Sequence, residues 1–186
     1  MITALDEKTA LVLIDLQNGI AGLPLVHPVK DVLANAAKLV DAFHKAKLPV
    51  IIVNVNPTGS AWIKARKEPS AMPGGQFKED WLDIVPELKT AESDIFVTKS
   101  TWGAFESTAI DAELKKIGVT GIVLGGISTS IGVEGTARGA SARGYNITFA
   151  TDAMTDMFAD AHAHSLKYIF PRVGELDTTE NILKFL

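Results

Sequence analysis

Three polar stretches of this sequence stand where apolar, strand-like runs end. Asp15 closes the run LVLI, Lys99 closes the run IFVT, and the glycine-rich turn GGISTSIG at residues 125–132 follows a third run. A carboxylic acid can deliver or accept a proton, a neighbouring lysine can stabilise its anion, and amides at a helix start can stabilise a developing oxyanion. Brought together by the fold, these stretches would form a site for proton transfer.

Each stretch also has a structural explanation that the sequence leaves open. Asp15 could cap the turn after its strand, and Lys99 could be a solvated lysine at a strand end. The small residues that follow Gly132 could serve close helix packing alone. Ser128 and Ser130 are weaker candidates for a nucleophile, since the sequence places no histidine or second base beside them.

Short β-rich runs alternate with helical patterns and must position these residues. The runs span residues 10–16, 49–56, 94–100, 120–126, 145–152 and 172–176, and the helical patterns span 29–46, 107–116, 130–143, 159–170 and 178–186. This alternation predicts a parallel sheet with helices on both faces. Ligands of such sheets bind outside the carboxyl ends of the strands, where all three polar stretches fall.

Composition limits the classes of function. The 186 residues fit one domain, 1–186, and 47% of them are hydrophobic. A net charge of −4 gives no electrostatic reason to expect nucleic acid or a membrane surface as partner. The start lacks a signal-peptide pattern and no apolar run reaches about 18 residues, so we expect a cytoplasmic protein.

Metal and thiol chemistry are not indicated. The absence of cysteine excludes disulfides, thiolate metal sites and thiol catalysis. The four histidines form no recognisable ligand spacing: His27, His44, His162 and His164. We therefore predict no metal and no cofactor.

The segment at about 57–92 interrupts the alternation. It contains four prolines, the dipeptide Gly74-Gly75, Trp62 and Trp81. A long irregular insertion in a compact domain is commonly functional, and we interpret it as a lid over one end of the sheet. A surface excursion without a role at the site is the alternative.

The polar stretches carry a family resemblance. LVLIDLQNGI resembles the motif LxxIDxQN, and VTKSTWGAFESTAIDAELKKIGVTGIVLGG resembles KxxxSAFxxTxLxxxLxxxGxxxLxxxG. GISTSIGVEGTARGASARGYNITFATDA resembles GxxTxxCVxxTAxxAxxxGYxxxxxxDA. All three motifs are those of the isochorismatase-like hydrolases, the cysteine hydrolase superfamily that includes nicotinamidases. The resemblance runs from about Thr9 to the C-terminus.

The resemblance implies a three-layer α/β/α, Rossmann-like fold with a six-stranded parallel sheet in the order 3-2-1-4-5-6. It implies catalytic roles for Asp15 and Lys99, with Gly132 at the position of the family nucleophile. It also implies a cis peptide between Ile127 and Ser128 that aims turn amides at an oxyanion. We expect substrate contacts from Trp62, Trp102, Phe105 and Thr129, and a homo-oligomer, a dimer or larger.

Two departures from the family pattern limit the chemistry. Gly132 replaces the nucleophilic cysteine, as in the true isochorismatases, which hydrolyse a vinyl ether without a covalent intermediate. Asn54, Val55 and Asn56 stand where nicotinamidases have an Asp-x-His metal pair, and Gly103 stands where serine is usual.

Three functions follow from this pattern. The first is a small-molecule hydrolase that uses Asp15 and Lys99 for acid–base chemistry. The second is a silent family member that binds a metabolite or a partner protein, and the third is a serine-dependent amidase. For the first, burial of Asp15 would raise its pKa and Lys99 would lower it, and the sequence leaves the balance open.

Overall fold

A parallel β-sheet forms the centre of the computed structural model, which describes residues 1–58, 60, 65–66 and 77–186. Its strands are β1 Thr9–Ile14, β2 Val50–Val55, β3 Ile95–Lys99, β4 Gly121–Ile127, β5 Asn146–Thr155 and β6 Glu175–Asp177. They lie in the order β3-β2-β1-β4-β5-β6, and every neighbouring pair is parallel. The predicted fold class and strand order are confirmed.

Helices cover both faces of the sheet. They are α1 Asn18–Ala21, α2 Val29–Lys45, α3 Ile110–Lys116, α4 Glu134–Ala142, α5 Ala159–His164 and α6 Thr179–Ile182, with 3-10 turns at Pro86–Leu88 and Leu183–Phe185. Throughout the described ranges, no helix has both the length and the apolar character that crossing a membrane requires.

Two of the helical segments that differ from the sequence-based prediction contain π turns. The segment predicted at 130–143 begins with a π turn, Thr129–Val133, in which the Ser128 carbonyl accepts hydrogen bonds from the amides of Ile131 and Val133. The helix predicted at 159–170 ends as α-helix at His164. It continues as a π turn, Ser165–Ile169, and a 3-10 turn, Phe170–Arg172. Arg172 belongs to this 3-10 turn, and the amides of Val173 and Gly174 donate back to the Phe170 carbonyl, so β6 starts at Glu175 rather than at residue 172.

Strand β1 is buried along its whole length and supports the polar residue that follows it. Val12 and Ile14 pack into the cluster that includes residues of α3 and α4, whereas Leu11 and Leu13 pack into the cluster that includes α2. A strand buried on both faces requires the continuous apolar run seen in the sequence. Asp15 therefore projects from the most enclosed part of the sheet.

Part of the predicted lid at 57–92 lies outside the described residues, and Trp62 belongs to that part. Its described end, residues 77–88, is hydrogen-bonded along the β1–α1 connection. Asn18 N–H donates to the Asp83 carbonyl at 2.9 Å, and Val85 N–H donates to the Leu16 carbonyl at 3.1 Å. This end of the segment is thus joined to the chain just after Asp15, and its role as a lid stays a prediction.

Candidate active site

Asp15 and Lys99 form a buried ion pair at the carboxyl ends of β1 and β3. The Lys99 Nζ lies 2.8 Å from Asp15 Oδ2, and the two side chains are 2% and 6% exposed. Asp15 has a φ of 54°, which ends the strand, and its N–H donates to the Val53 carbonyl at 2.8 Å. Lys99 Nζ also donates to the Thr101 carbonyl at 3.1 Å. Backbone contacts therefore hold the Lys99 ammonium and the main chain of Asp15, and the ammonium in turn holds the Asp15 carboxylate.

Burial decides the protonation of Asp15. Loss of solvent raises the pKa of the Asp15 carboxyl from 3.8 to about 6, against the opposing effect of the Lys99 charge and hydrogen bond. The second carboxyl oxygen, Oδ1, is buried and has no hydrogen-bond partner among the described residues. A carboxyl of this kind can hold a proton on Oδ1 while Oδ2 stays bonded to the lysine, and so can act as an acid near neutral pH.

Gly132 completes the group that the structure brings together. A Cβ added to Gly132 would lie 3.1 Å from Asp15 Oδ2 and 2.9 Å from Ile14 Cγ2. The glycine belongs to the π turn Thr129–Val133, which follows β4. The peptide between Ile127 and Ser128, just before this turn, is cis. The turn thus places bare backbone directly against the Asp15 carboxyl.

The end of β5 fixes this turn through residues that sequence reasoning missed. Asp156 is fully buried, and its Oδ2 accepts hydrogen bonds from Ser130 N–H at 2.7 Å and from Ser130 Oγ at 2.8 Å. Thr129 Oγ1 contacts the Thr155 carbonyl at 3.1 Å and His162 Nδ1 at 2.8 Å. Asp156 directly follows a strand, as Asp15 does, and that shared placement is the signal that could have identified it.

The predicted substrate-contact residues have different environments. Thr129 is fully buried, with its hydroxyl occupied as described, and Phe105 lies in the hydrophobic core against Tyr145. Trp102 is 56% exposed. Its backbone lies beside Gly135, one helical turn after Gly132. Trp62 is outside the described residues, and contact of these four residues with a substrate stays a prediction.

The region where nicotinamidases have a metal pair is occupied by structural hydrogen bonds. Asn54 Nδ2 donates to the Leu82 carbonyl at 3.0 Å. The fully buried Gln17, a second residue that sequence reasoning missed, accepts from Val55 N–H at 2.7 Å and donates to the Trp81 carbonyl at 2.9 Å. Among residues 1–58, 60, 65–66 and 77–186, no cluster of three or more His, Cys, Asp or Glu side chains is arranged to hold a metal ion.

Known proteins resemble this chain over nearly its whole length. The uncharacterized isochorismatase family protein YwoC of Bacillus subtilis (strain 168) is 43% identical over 180 residues, which cover 96% of this chain and 94% of that protein. The solved structure of an isochorismatase family protein (BTH_II2229) from Burkholderia thailandensis matches with a TM-score of 0.89 and 39% identity. That match covers 100% of this chain and 99% of the other.

A relative named for an activity is more distant. Nicotinamidase 3 of Arabidopsis thaliana is 27% identical over 164 residues, which cover 87% of this chain and 80% of that protein. The family model described as the isochorismatase domain matches residues 9–181, a range that includes Asp15, Lys99 and Gly132. The chain therefore belongs to the isochorismatase family of hydrolases.

Proposed function

We propose that this chain hydrolyses a small-molecule vinyl ether by acid–base chemistry at Asp15 and Lys99, without a covalent thiol intermediate. The observation that carries the proposal is the Asp15 carboxyl, which is buried and has a pKa raised to about 6, and whose Oδ1 has no hydrogen-bond partner in the part of the chain that the structure describes. Hydrolysis of a vinyl ether needs one positioned acid and a water molecule, and no nucleophilic side chain.

The two carboxyl oxygens of Asp15 have separate tasks in this reaction. Oδ1 delivers its proton to the vinyl carbon and produces an oxocarbenium ion, while the Lys99 ammonium 2.8 Å from Oδ2 stabilises the carboxylate that remains. Water then adds to the oxocarbenium carbon and passes a proton back to Asp15. The resulting hemiketal separates into a carbonyl compound and an alcohol, and the acid is regenerated.

Gly132 supports a reaction without a covalent intermediate. By the family resemblance it stands at the position of the nucleophile, and the chain has no cysteine to take that role. The Ile14 methyl and the Asp15 carboxylate lie close to the space that a side chain at 132 would use. Bare backbone at this position leaves no side-chain nucleophile beside the Asp15 carboxyl.

The serine-dependent amidase is the less favoured function. The relative named nicotinamidase suggests amide hydrolysis in the family. The Ser130 hydroxyl, however, donates to the buried Asp156 carboxylate, together with its own N–H. The Asp156 carboxylate, a base that the sequence did not place beside Ser130, thus caps the start of the turn and holds the hydroxyl in the same pair of bonds. We interpret Ser130 as part of this structural contact rather than as the nucleophile.

The test compares two substrates and two variants. The full chain is assayed with isochorismate as the vinyl-ether probe and with nicotinamide as the amide probe, alongside Asp15→Asn and Ser130→Ala. Release of the carbonyl product that is lost in Asp15→Asn and kept in Ser130→Ala supports the proposal. Ammonia release that depends on Ser130 contradicts it in favour of the amidase. Thermal stabilisation by a probe without turnover contradicts it in favour of the silent binding protein.

We also propose that the chain assembles as a homo-oligomer, a dimer or larger, in which part of residues 57–92 of one subunit closes the site of a neighbour. The exposed Trp102 supports this assembly, whereas the small residues of α4 are buried within the subunit itself. A strictly monomeric particle in light scattering at micromolar concentration would contradict it.

A further inference from the structure

The buried hydroxyl of Thr129 determines the form of a neighbouring histidine. Thr129 Oγ1 lies 3.1 Å from the Thr155 carbonyl oxygen and 2.8 Å from His162 Nδ1. A carbonyl oxygen only accepts, so the single hydroxyl proton of Thr129 is donated to it. The hydroxyl oxygen must then accept from His162, which requires a hydrogen on Nδ1.

This hydrogen-bond chain ends at the turn beside the proposed acid. Thr129 is the first residue of the turn Thr129–Val133, and the same turn brings Gly132 against Asp15. A shift at Thr129 would move this backbone away from the carboxyl and admit water. These hydrogen bonds thus connect α5, which carries His162, with the turn that lies against the Asp15 carboxyl.

We propose that His162 is a positioning residue for the hydrolysis, which through its Nδ1–H and the Thr129 hydroxyl holds the turn that encloses Asp15. The catalytic part of this inference rests on the proposed function. His162 acts through Thr129, and its role is the placement of the turn rather than proton transfer to a substrate.

The surroundings of His162 keep its ring neutral. Burial lowers the pKa of His162, His27 lowers it further, and Asp156 opposes both. The His27 ring centroid lies 4.7 Å from that of His162, and His27 Nδ1 contacts Thr155 Oγ1 at 2.9 Å. A neutral imidazole carries one N–H, so the position of that hydrogen decides whether Thr129 is held.

The variants separate the hydrogen bonds from packing. Thr129→Val and His162→Leu remove one partner each, whereas Thr129→Ser keeps the hydroxyl and His162→Asn keeps a donor near the place of Nδ1. Thr9→Val is the matched control, because Thr9 is also buried and its hydroxyl donates to the Asp6 carbonyl at 2.6 Å, at the opposite end of β1.

Three measurements test the inference. The first is the tautomer of His162 in the full chain, read from long-range proton–nitrogen NMR correlations. The second is the Asp15 titration by carboxyl carbon NMR without substrate, assigned with Asp15→Asn. The third is the pH profile of kcat with isochorismate. Loss of folded protein would lower the amplitude of activity but would not move a titration.

We expect an Nδ1–H His162. In Thr129→Val and His162→Leu, the Asp15 titration should move from about 6 toward 3.8, and the descending limb of kcat should move with it. Activity at pH 7 should fall by about tenfold to 100-fold, as misplacement of reacting groups by about 1 Å does. Thr129→Ser and His162→Asn should keep most of the activity at pH 7 and an Asp15 titration near the wild-type value. Thr9→Val should change neither the titration nor the activity.

Two results would overturn the inference. One is an Nε2–H tautomer of His162, and the other is an Asp15 titration unchanged in His162→Leu. Because the tautomer and the titration are measured without substrate, a wild type that turns over neither probe would contradict the proposed function alone, and these two measurements would still decide the role of His162.

Discussion

Strand β3 lies between two buried carboxyl groups, Asp94 and Asp15, which differ in the bonding of their second oxygen. Before its first residue, Asp94 Oδ1 contacts His44 Nε2 at 2.6 Å, and Asp94 Oδ2 accepts from Ala91 N–H at 2.8 Å. At its last residue, Lys99 contacts Asp15 Oδ2, and no group in the described ranges forms a hydrogen bond with Asp15 Oδ1. The first carboxylate has both oxygens bonded and ties α2 to the sheet edge. The second keeps one oxygen available to a ligand.

The difference separates a structural pair from a candidate catalytic one. A buried polar atom without a partner is costly, and most buried polar atoms in proteins are bonded. An exception at the carboxyl ends of a parallel sheet, where ligands bind, points to function rather than to stability. The predictions below change one member of each pair and compare the results.

The largest contrast is expected between Asp15→Asn and Asp94→Asn. Asp15→Asn should lower kcat by about 100-fold or more and leave the fold intact, because an amide cannot deliver a carboxylic proton. Asp94→Asn should keep the activity and lower the free energy of unfolding by about 1–3 kcal/mol, since it weakens a satisfied buried pair. Steady-state kinetics and denaturant unfolding measure the two effects. Equal activity of the two variants would contradict a catalytic role for Asp15 and a structural role for Asp94.

Removal of the cation should reveal how Asp15 is held. Lys99→Met leaves a buried carboxyl without its partner and should cost about 3–5 kcal/mol of unfolding free energy. The pKa of Asp15 should rise above about 6, because Lys99 is the group that opposes the effect of burial. The descending limb of the activity profile should then move to higher pH. His44→Gln, which keeps a donor for Asp94, should cost less than Lys99→Met, and an Asp15 titration at or below the wild-type value would contradict the prediction.

The pH dependence of the unfolding free energy should show that ionised Asp15 destabilises the folded protein. Its pKa is raised in the folded state from 3.8 to about 6, so the folded protein binds this proton more tightly than the unfolded chain. The stabilisation from Asp15 is therefore present below pH 3.8 and lost as pH rises through about 6. Relative to Asp15→Asn, the wild type should lose roughly 2 kcal/mol of unfolding free energy between pH 4 and pH 7. A constant difference between the two proteins would show that Asp15 is not destabilised by burial.

Local patterns were sufficient to predict the sheet and the residues at its carboxyl edge. Asp15 and Lys99 each end a continuous apolar run, and a parallel sheet brings such ends to one edge. The strand order and the position of Gly132 followed from the family resemblance. The balance of effects on the pKa of Asp15 needed the structure, because burial is a property of the folded chain.

The hydrogen bonds that hold the turn beside Asp15 could not be predicted from the sequence, because they join residues far apart along the chain. The contact of His162 with Thr129 joins residues 33 positions apart, and that of Asp156 with Ser130 joins residues 26 apart. No local periodicity encodes such pairs. The π turn at Thr129–Val133 was also missed. It depends on the Ser128 carbonyl, which accepts hydrogen bonds from the amides of Ile131 and Val133.

The smallest expected effect concerns a thiol placed beside Asp15. Gly132→Cys introduces the only cysteine of the chain, so alkylation reports this position alone. Lys99 and the nearby helix start should lower the thiol pKa, and labelling at neutral pH should be about tenfold faster than that of an ordinary thiol. Ser93→Cys, an exposed site next to Asp94, supplies the ordinary thiol for comparison.

Two contacts limit this effect. The new Cβ would meet Ile14 Cγ2 at 2.9 Å and Asp15 Oδ2 at 3.1 Å, so both neighbours must move by a few tenths of an ångström. Adding Asp15→Asn or Lys99→Ala should slow the labelling, because each removes one activating group. A Gly132→Cys protein that labels no faster than Ser93→Cys would mean that the turn does not present position 132 to the acid and the cation. The function of a binding protein would then be favoured over that of a hydrolase.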